Sequence, residues 1–305
     1  MILTTEQKND YEKNGFLKVP GVYTPETIAT IRKRLLEIFQ TGEWKKNEFN
    51  TEKCMVDLYG YFPEFLDLIL TPQVIEVIKD LLGENPIMFP EYPVHFREYA
   101  GGWHKDATTQ HRIGHRFQLN PTHRVAKFGI YLQDNNEYGG GLTVIPGSHK
   151  TSDEYAHIDY KAPRPMVRRA IDKSVILIKN NNLYKYSPLR PFIDWYLNFA
   201  ERTDKRVNPH GGEIYDIPSK AGDFLIFDHL LDHRGTFPKI CQIQDIPEDK
   251  WKLSIFHVWG RNNEDSMKYM EFLRSRPEPF YQQMAHKAPP ANLIKKGEEL
   301  GFTPI

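Results

Sequence analysis

The sequence predicts an α+β protein with a mainly β core, because helical and strand-like patterns occupy different parts of the chain. Apolar residues recur at helical spacing up to Gly83, and from Pro86 onwards the spacing becomes that of strands. With 305 residues, of which 40% are hydrophobic, the chain is long enough to bury a substantial core. No internal repeat or domain boundary is evident, so we expect a single domain, 1–305.

Three helices near the N-terminus are predicted from their capping residues. Thr4 is followed three residues later by Gln7, which is the spacing of a capping box. Thr24-Pro25 and Thr71-Pro72 each place an N-cap residue directly before a proline at the first helical position. Gly83 should end the third of these helices. The amphipathic patterns predict helices over 5–13, 25–39 and 72–82.

The remaining chain is predicted to be mostly strands, interrupted by one long insert. Residues 151–212 are rich in Arg, Lys, Tyr, Asn and Pro, and a segment of this length without clear periodicity is typical of a lid over a binding site. The tail from Glu264 should be helical and end in proline-rich coil. Strands are expected over 16–20, 87–89, 94–99, 128–132, 212–218, 224–227 and 252–259.

Composition argues against several classes of protein. The formal net charge is +0 and the pI is about 7.2, so nothing indicates binding to nucleic acid or to an anionic membrane. No stretch has the roughly 20 apolar residues of a membrane span. The first residues lack the pattern of a secretory signal, and Cys54 and Cys241 are too few for a disulfide framework. We therefore expect a cytoplasmic protein.

His104-Lys105-Asp106 is the segment that most clearly indicates a chemical function. Residues two apart on an extended chain point to the same side, so an imidazole and a carboxylate can converge on one ion. With a second histidine from elsewhere, they would form the facial triad of non-haem Fe(II) oxygenases. Alone the signal is weak, since His157-Ile158-Asp159 has the same spacing.

A resemblance makes the prediction more specific. An N-terminal helix ending in Asn-Gly-Phe-Leu, then His104-x-Asp106, Gly-Leu-Thr-Val-Ile-Pro-Gly-Ser-His-Lys at 141–150 and Ala-Gly-Asp-Phe-Leu-Ile-Phe-Asp-His-Leu-Leu-Asp-His at 221–233 follow in order. This order resembles the phytanoyl-CoA dioxygenase family over roughly residues 5–260. The resemblance implies a double-stranded β-helix, or jelly roll, with the N-terminal helices packed outside the barrel. It also implies Fe(II) as cofactor, with 2-oxoglutarate and O2 as cosubstrates.

The family pattern places the distal iron ligand at His233, beside His104 and Asp106. His229, four residues earlier, is the rival because it also follows the apolar run 224–227. His157 and Asp159 are disfavoured because they lie in the insert. His149 is expected to organise its turn and not to bind metal.

The anchor for the far carboxylate of 2-oxoglutarate departs from the family pattern, which has an arginine soon after the distal histidine. Here the next strand opens with Lys252, and Lys252 and Ser254 alternate to one face. We expect these two residues to hold the carboxylate, although a lysine is a point charge and lacks the bidentate fork of arginine. Thr143 could add a hydrogen bond to the cosubstrate from the strand after the glycine-rich turn. The alternative anchors are Arg97, Lys127 and Arg261.

The resemblance predicts an enzyme that hydroxylates an unactivated C–H bond of a small molecule and releases succinate and CO2. Two alternatives remain. One is a jelly-roll metal- or sugar-binding cupin, or an isomerase, that does not activate O2, and the replacement of arginine by Lys252 keeps it open. The other is a degenerate barrel that scaffolds a partner, which an intact ligand set disfavours. The sequence specifies neither the substrate nor the oligomeric state.

Overall fold

The computed structural model describes residues 3–99, 102–120, 122–153, 211–236 and 243–305, together with positions 188, 191, 192, 195 and 196. Most of the insert predicted over 151–212, including His157 and Asp159, therefore lies outside the described residues. Within them, no helix is both long enough and apolar enough to cross a membrane.

The described part of the chain contains α-helices, strands and short 3-10 turns. The helices are α1 Thr5–Asn14, α2 Pro25–Thr41, α3 Leu58–Tyr61, α4 Leu66–Ile69, α5 Pro72–Leu82, α6 Thr108–Arg112, α7 Glu264–Ser275, α8 Pro279–His286 and α9 Ala291–Leu300. The strands are β1 Phe16–Val19, β2 Cys54–Met55, β3 Ile87–Met88, β4 Val94–Phe96, β5 Val125–Tyr131, β6 Leu142–Val144, β7 Tyr215–Asp216, β8 Phe224–Asp228, β9 His233–Gly235, β10 Leu253–Gly260 and β11 Thr303–Pro304.

The strands form two sheets that face each other as a jelly roll. The larger sheet has the order β1-β8-β5-β10-β3-β11, with β4 paired to both β10 and β2, and the smaller has the order β7-β6-β9. Side chains from both sheets meet in one apolar cluster, in which Leu142 and Val144 of the small sheet pack with Leu225 and Phe227 of the large one. The space between the sheets is therefore the interior of the barrel.

The outer face of the large sheet packs against the N-terminal helices. Along β8, Phe224 and Ile226 lie in the helix-facing core, whereas Leu225 and Phe227 face the interior, as the two-residue period of a strand requires. Ile31 and Leu35 of α2 are fully buried in the same outer core. Full burial of such a side chain stabilises the fold by about 1.5–3 kcal/mol. The α+β class and the external N-terminal helices are confirmed.

The capping residues behave as predicted. The Thr4 hydroxyl accepts a hydrogen bond from the Gln7 backbone, and the Gln7 side chain accepts one from the Thr4 backbone, which completes the capping box. Thr24 and Thr71 each cap a helix that begins with proline. These local hydrogen bonds satisfy N–H groups that the first helical turn cannot pair internally.

The strand predicted over 212–218 is limited to Tyr215–Asp216, and two further predictions about the elements are wrong. The strand expected over 94–99 ends at Phe96, because Arg97 adopts a left-handed conformation (φ 53°) that cannot continue a strand. The chain end expected as coil contains β11, which pairs in parallel with β3 at the edge of the large sheet. Both features depend on contacts with segments that are distant along the chain.

Candidate metal centre and its cavity

The backbone holds two of the predicted ligands directly opposite each other. His104 and His233 exchange two hydrogen bonds, from His104 N to His233 O (3.2 Å) and from His233 N to His104 O (3.0 Å). This antiparallel pair ties the His104 segment to the start of β9, and Ala107 N extends the pairing by donating to His229 O at 3.3 Å. Directly opposed residues in such a pair have their side chains close together.

The three predicted ligands converge. Nε2 of His104 and Nε2 of His233 each lie 3.8 Å from Asp106 Oδ1, and the ligand atoms of all three residues are within 4.8 Å of one another. Each imidazole donates from Nδ1 to a carbonyl, at 2.8 Å to Gly102 O and at 2.9 Å to Leu231 O. This fixes the tautomer that leaves both Nε2 lone pairs facing the carboxylate. The arrangement is that of a two-histidine, one-carboxylate metal site.

Asp106 is kept ionised by its neighbours. Burial favours the neutral acid, but the Lys127 ammonium, 2.9 Å from Oδ1, and the nearby imidazoles hold the pKa of this carboxyl below its ordinary value. Burial, with His104 nearby, lowers the pKa of His233 to about 3. The site therefore presents one anionic oxygen and a neutral imidazole nitrogen at neutral pH, which are the protonation states that a cation requires of its ligands.

A cavity of about 270 Å³ opens beside the triad, inside the barrel. Its described aromatic walls are Tyr131, Phe227 and Phe256, and its described ionisable residues, apart from His104 and His233, are His95, Glu98, Lys127 and Lys252. A volume just below the range of about 300–1,000 Å³ for drug-sized ligands suits small molecules.

Lys252 directly precedes β10 and Ser254 lies within it, and both are on the face of the strand that points to the barrel interior. Lys252 is buried and lines the cavity, and burial lowers its pKa to about 8, although Glu98 acts in the opposite direction. The lysine stem passes over Gly140, where a Cβ would lie 3.2 Å from Lys252 Cδ. Gly140 has φ 86°, a left-handed conformation that glycine adopts readily, and its lack of a Cβ leaves room for the lysine stem.

Ser254, the second predicted anchor residue, buries its hydroxyl within the large sheet. The residue is fully buried, and within the described part of the chain its Oγ has no hydrogen-bond partner. Ser254 itself is not one of the cavity-lining residues, but it lies between His95 of β4 and Tyr131 of β5 in the sheet register, and both of these neighbours line the cavity. A buried hydroxyl without a partner costs about 1–3 kcal/mol, which a polar ligand could recover.

Sequence reasoning missed several residues of this cavity. Tyr131 has no metal or charge motif that would mark it. His95 and Glu98 form a pair, with Nδ1 2.6 Å from the carboxylate, but they precede the predicted motif and resemble ordinary strand residues. Lys127, considered only as an alternative anchor, contacts Asp106 instead. The register of β4, β5 and β10 brings them together, and no local signal encodes that register.

Other predicted or considered residues lie elsewhere. Thr143 does not line the cavity, since its hydroxyl donates to Asp216 Oδ1 at 2.6 Å and lies 3.0 Å from the Thr236 hydroxyl, so its contact with the cosubstrate stays a prediction. The His229 imidazole packs edge-on against Tyr269 and is not in the cluster of potential ligands. His149 contacts the Glu12 carbonyl at 3.2 Å.

The two remaining alternative anchors are also displaced from the cavity. The Arg97 guanidinium lies over the Trp251 ring, 4.2 Å from its centroid. Arg261 follows β10 at the opposite end from Lys252, where its N–H donates to the Arg124 carbonyl. Among the described lysines and arginines, Lys127 and Lys252 are therefore the ones that line this cavity.

A comparison with family models decides the classification. The model of the family described as phytanoyl-CoA dioxygenase (PhyH) matches residues 11–236, well over half of the chain. The chain belongs to the phytanoyl-CoA dioxygenase family. The matched range contains all three residues of the triad, and the predicted family is confirmed.

Curated relatives of this family member are distant. A protein of Stutzerimonas stutzeri described as a probable alpha-ketoglutarate-dependent hypophosphite dioxygenase is 23% identical over 161 residues, covering 48% of this chain and 53% of the relative. The chain thus spans about half the length of the first relatives that it matches. An ectoine dioxygenase of Bordetella bronchiseptica is 21% identical over 298 residues, covering 94% of this chain and 84% of the relative.

Solved structures show the same fold. EctD from S. alaskensis with 2-oxoglutarate and 5-hydroxyectoine has a TM-score of 0.57 at 15% identity, covering 95% of this chain and 86% of that chain. The carbocyclase SnoK from nogalamycin biosynthesis is described as non-heme and alpha-ketoglutarate-dependent. It has a TM-score of 0.51 at 15% identity, covering 85% of this chain and 84% of that chain. The double-stranded β-helix predicted for this family member is therefore confirmed.

Proposed function

We propose that this protein is an Fe(II)- and 2-oxoglutarate-dependent dioxygenase whose iron ligands are His104, Asp106 and His233. The observation that supports this proposal is the convergence of two imidazole Nε2 atoms and one carboxylate oxygen beside a cavity in the barrel. Membership of the phytanoyl-CoA dioxygenase family and the names of the relatives point to the same chemistry.

The residues present fit an iron ion. Both Nδ1 atoms donate to carbonyls and both Nε2 atoms face Asp106, so these three residues would hold the ion and would leave it open to the cosubstrates. When bound there, Fe(II) together with 2-oxoglutarate and O2 would supply the oxidising power, with succinate and CO2 as products of the cosubstrate. The protein's contribution is to hold the ligands, orient the cosubstrate and exclude water.

The far carboxylate of 2-oxoglutarate would be held by Lys252 and Ser254. The lysine supplies a buried positive charge, and the serine supplies the hydroxyl that has no partner within the described part of the chain. The Tyr131 hydroxyl would join them, because Tyr131 lies beside Ser254 in the sheet and lines the cavity. In this assignment Thr143 supports the small sheet through Asp216.

The primary substrate would be a small molecule that undergoes C–H hydroxylation. The cavity volume of about 270 Å³ must accommodate the cosubstrate as well as the substrate, which favours a small one. His95 and Glu98 would offer it hydrogen-bond acceptors, and Phe227 and Phe256 would offer apolar walls. The lid over residues 151–212 stays a prediction from the sequence, since most of that segment lies outside the described residues.

Anaerobic optical titration tests this proposal. Adding Fe(II) to the apoprotein and then 2-oxoglutarate should produce the weak visible charge-transfer band of the chelate, because the cosubstrate would then lie in the coordination sphere of the iron. Adding succinate in place of 2-oxoglutarate is the control and should give no band, because it lacks the keto group. Iron binding without a band would contradict the proposal and favour the non-oxidative cupin.

Ser254→Ala should change stability and cosubstrate binding in opposite directions. Removing a buried hydroxyl without a partner should raise the free energy of unfolding of the ligand-free protein by up to about 1 kcal/mol. Losing its hydrogen bond should raise the KM for 2-oxoglutarate about fivefold. Denaturant unfolding and steady-state kinetics measure the two effects.

Ser266→Ala is the matched control for Ser254→Ala. Ser266 is also fully buried and its hydroxyl also has no partner within the described residues, but it lies on α7 and not beside the cavity-lining residues of β4 and β5. This variant should gain stability and keep the KM of the unmodified enzyme. An unchanged KM in Ser254→Ala as well would remove Ser254 from the anchor.

A further inference from the structure

Lys105, the middle residue of the His-x-Asp motif, has an environment that iron ligation does not explain. Its side chain is 1% exposed, and its Nζ lies 2.7 Å from the Asp232 carboxylate, whose side chain is 0% exposed. The ammonium also donates to Leu230 O at 2.6 Å and to Ser148 O at 2.5 Å. Three oxygens therefore surround the three N–H groups of one buried cation.

This buried pair links the two segments that carry the predicted iron ligands. Lys105 lies between His104 and Asp106 in sequence, and Asp232 directly precedes His233. Among the described residues, the backbone ladder between these segments is short, since it consists of the His104–His233 bridge and the hydrogen bond from Ala107 to His229. The ion pair between Lys105 and Asp232 is therefore an important further contact that fixes the distance between the two segments.

The pair also contacts the loop whose Leu231 carbonyl orients the His233 imidazole. The imidazole Nδ1 donates to Leu231 O, and Lys105 contacts the residues on either side of that leucine, Leu230 and Asp232. The Asp232 backbone is fixed in turn, because its N–H donates to Ser148 Oγ at 2.8 Å. A shift of this loop would move the carbonyl and rotate the imidazole.

We propose that Lys105 and Asp232 are positioning residues, which hold the His233 loop against the His104–Asp106 segment and so set the geometry of the metal site. The proposal rests on the proposed function, because it assumes that these residues bind a metal ion. Partners that orient metal ligands typically contribute about 10- to 100-fold to metal affinity. A buried ion pair is weak evidence for stability alone, since apolar pairs often replace one without loss.

The test compares metal binding by folded variants, with Co(II) as an optical probe alongside Fe(II) under anaerobic conditions. Lys105→Met and Asp232→Asn should each weaken Co(II) binding about 10- to 100-fold and change the ligand-field spectrum. In Lys105→Met/Asp232→Leu, apolar side chains replace both charges, so thermal stability should recover while the weaker affinity and altered spectrum persist. Recovery of unmodified affinity and spectrum in the double variant would overturn the proposal.

A milder variant keeps the test decisive if those proteins do not fold. Ser148→Ala removes the acceptor of the Asp232 N–H without leaving a buried charge, and it should weaken Co(II) binding about threefold to tenfold. Lys287→Met is the control for Lys105→Met, because it also removes a lysine from a buried aspartate, Asp57 (2.5 Å), but outside the site. It should leave the spectrum unchanged. Unchanged affinity and spectrum in Ser148→Ala would also contradict the proposal.

The unmodified protein separates the two hypotheses. If it binds no Co(II) or Fe(II), the proposed metal site is wrong. If it binds the ion and the Lys105, Asp232 and Ser148 variants bind it equally well with the same spectrum, the site is retained and only the positioning role is wrong.

Discussion

His233→Ala should abolish tight Fe(II) binding and reduce oxygenase turnover to less than about 1% of that of the unmodified enzyme. The imidazole supplies one of three protein ligands, and its removal should cost more than the roughly 10- to 100-fold loss typical of residues that only orient a ligand. Its Nε2 lies 3.8 Å from Asp106 Oδ1, and in the described part of the chain no other histidine beyond His104 joins this cluster. Anaerobic titration with Fe(II) and 2-oxoglutarate-dependent succinate formation measure the two losses.

His229→Ala provides the control for that experiment. Its imidazole is buried like that of His233, but it packs on Tyr269, with Nε2 3.4 Å from the tyrosine hydroxyl. The variant should lose stability through lost packing and retain Fe(II) affinity. Tight Fe(II) binding in His233→Ala, together with its loss in His229→Ala, would show that the ligand assignment has chosen the wrong histidine.

The choice between these two histidines shows what the sequence could and could not predict. The spacing of His104 and Asp106 is local, so the chain shows directly that they can converge. The distal histidine depends on which residue of the β9 segment lies opposite His104. The backbone bridge pairs His233 with His104, whereas His229 is paired through its carbonyl with Ala107, further along the ladder.

Local hydrogen bonds also explain which elements were predictable. The capping box needs only Thr4 and Gln7, three residues apart, so the sequence contains the complete signal for the start of α1. The end of β4 has no such signal. Arg97 turns left-handed where its N–H donates to Lys252 O and its guanidinium lies over Trp251, and both partners are distant in sequence.

The same distinction explains the cavity. Lys252 and Ser254 were predicted from a resemblance and from strand alternation, and their shared interior face agrees with that alternation. The pairing of Lys105 with Asp232 was not predicted, because a lysine between two ligands looks like an exposed spacer. Its burial arises only when the β9 segment folds over it and supplies Leu230 O and the Asp232 carboxylate, while the turn after β6 supplies Ser148 O.

Lys252→Met should raise the KM for 2-oxoglutarate by roughly 30- to 1,000-fold while the visible band still forms at saturating cosubstrate. Removing one partner of a buried, hydrogen-bonded charge pair costs about 2–4 kcal/mol, and each 1.36 kcal/mol is a factor of ten. Lys250→Met is the control, since Lys250 is outside the cavity lining and its side chain is 38% exposed. An unchanged KM in Lys252→Met would exclude Lys252 as the anchor.

Because burial lowers the pKa of Lys252 to about 8, cosubstrate binding should depend on pH in a defined direction. Below pH 8 the free enzyme carries the ammonium, and above it the charge is lost, so kcat/KM for 2-oxoglutarate should fall up to tenfold per pH unit as the pH rises. Of the groups facing Lys252, His95 and Glu98 have pKa values below their ordinary values, and that of Tyr99 is raised. None of these three shifts moves a titration toward pH 8.

Lys252→Arg decides whether this alkaline loss belongs to Lys252. A guanidinium stays charged throughout the pH range of the assay, so the fall in kcat/KM above pH 8 should disappear, whatever the affinity at neutral pH. The measurement is kcat/KM for 2-oxoglutarate from pH 6 to about 10 in both proteins at constant ionic strength. If the alkaline fall persists in Lys252→Arg, another group causes it, and the buried charge of Lys252 does not control cosubstrate capture.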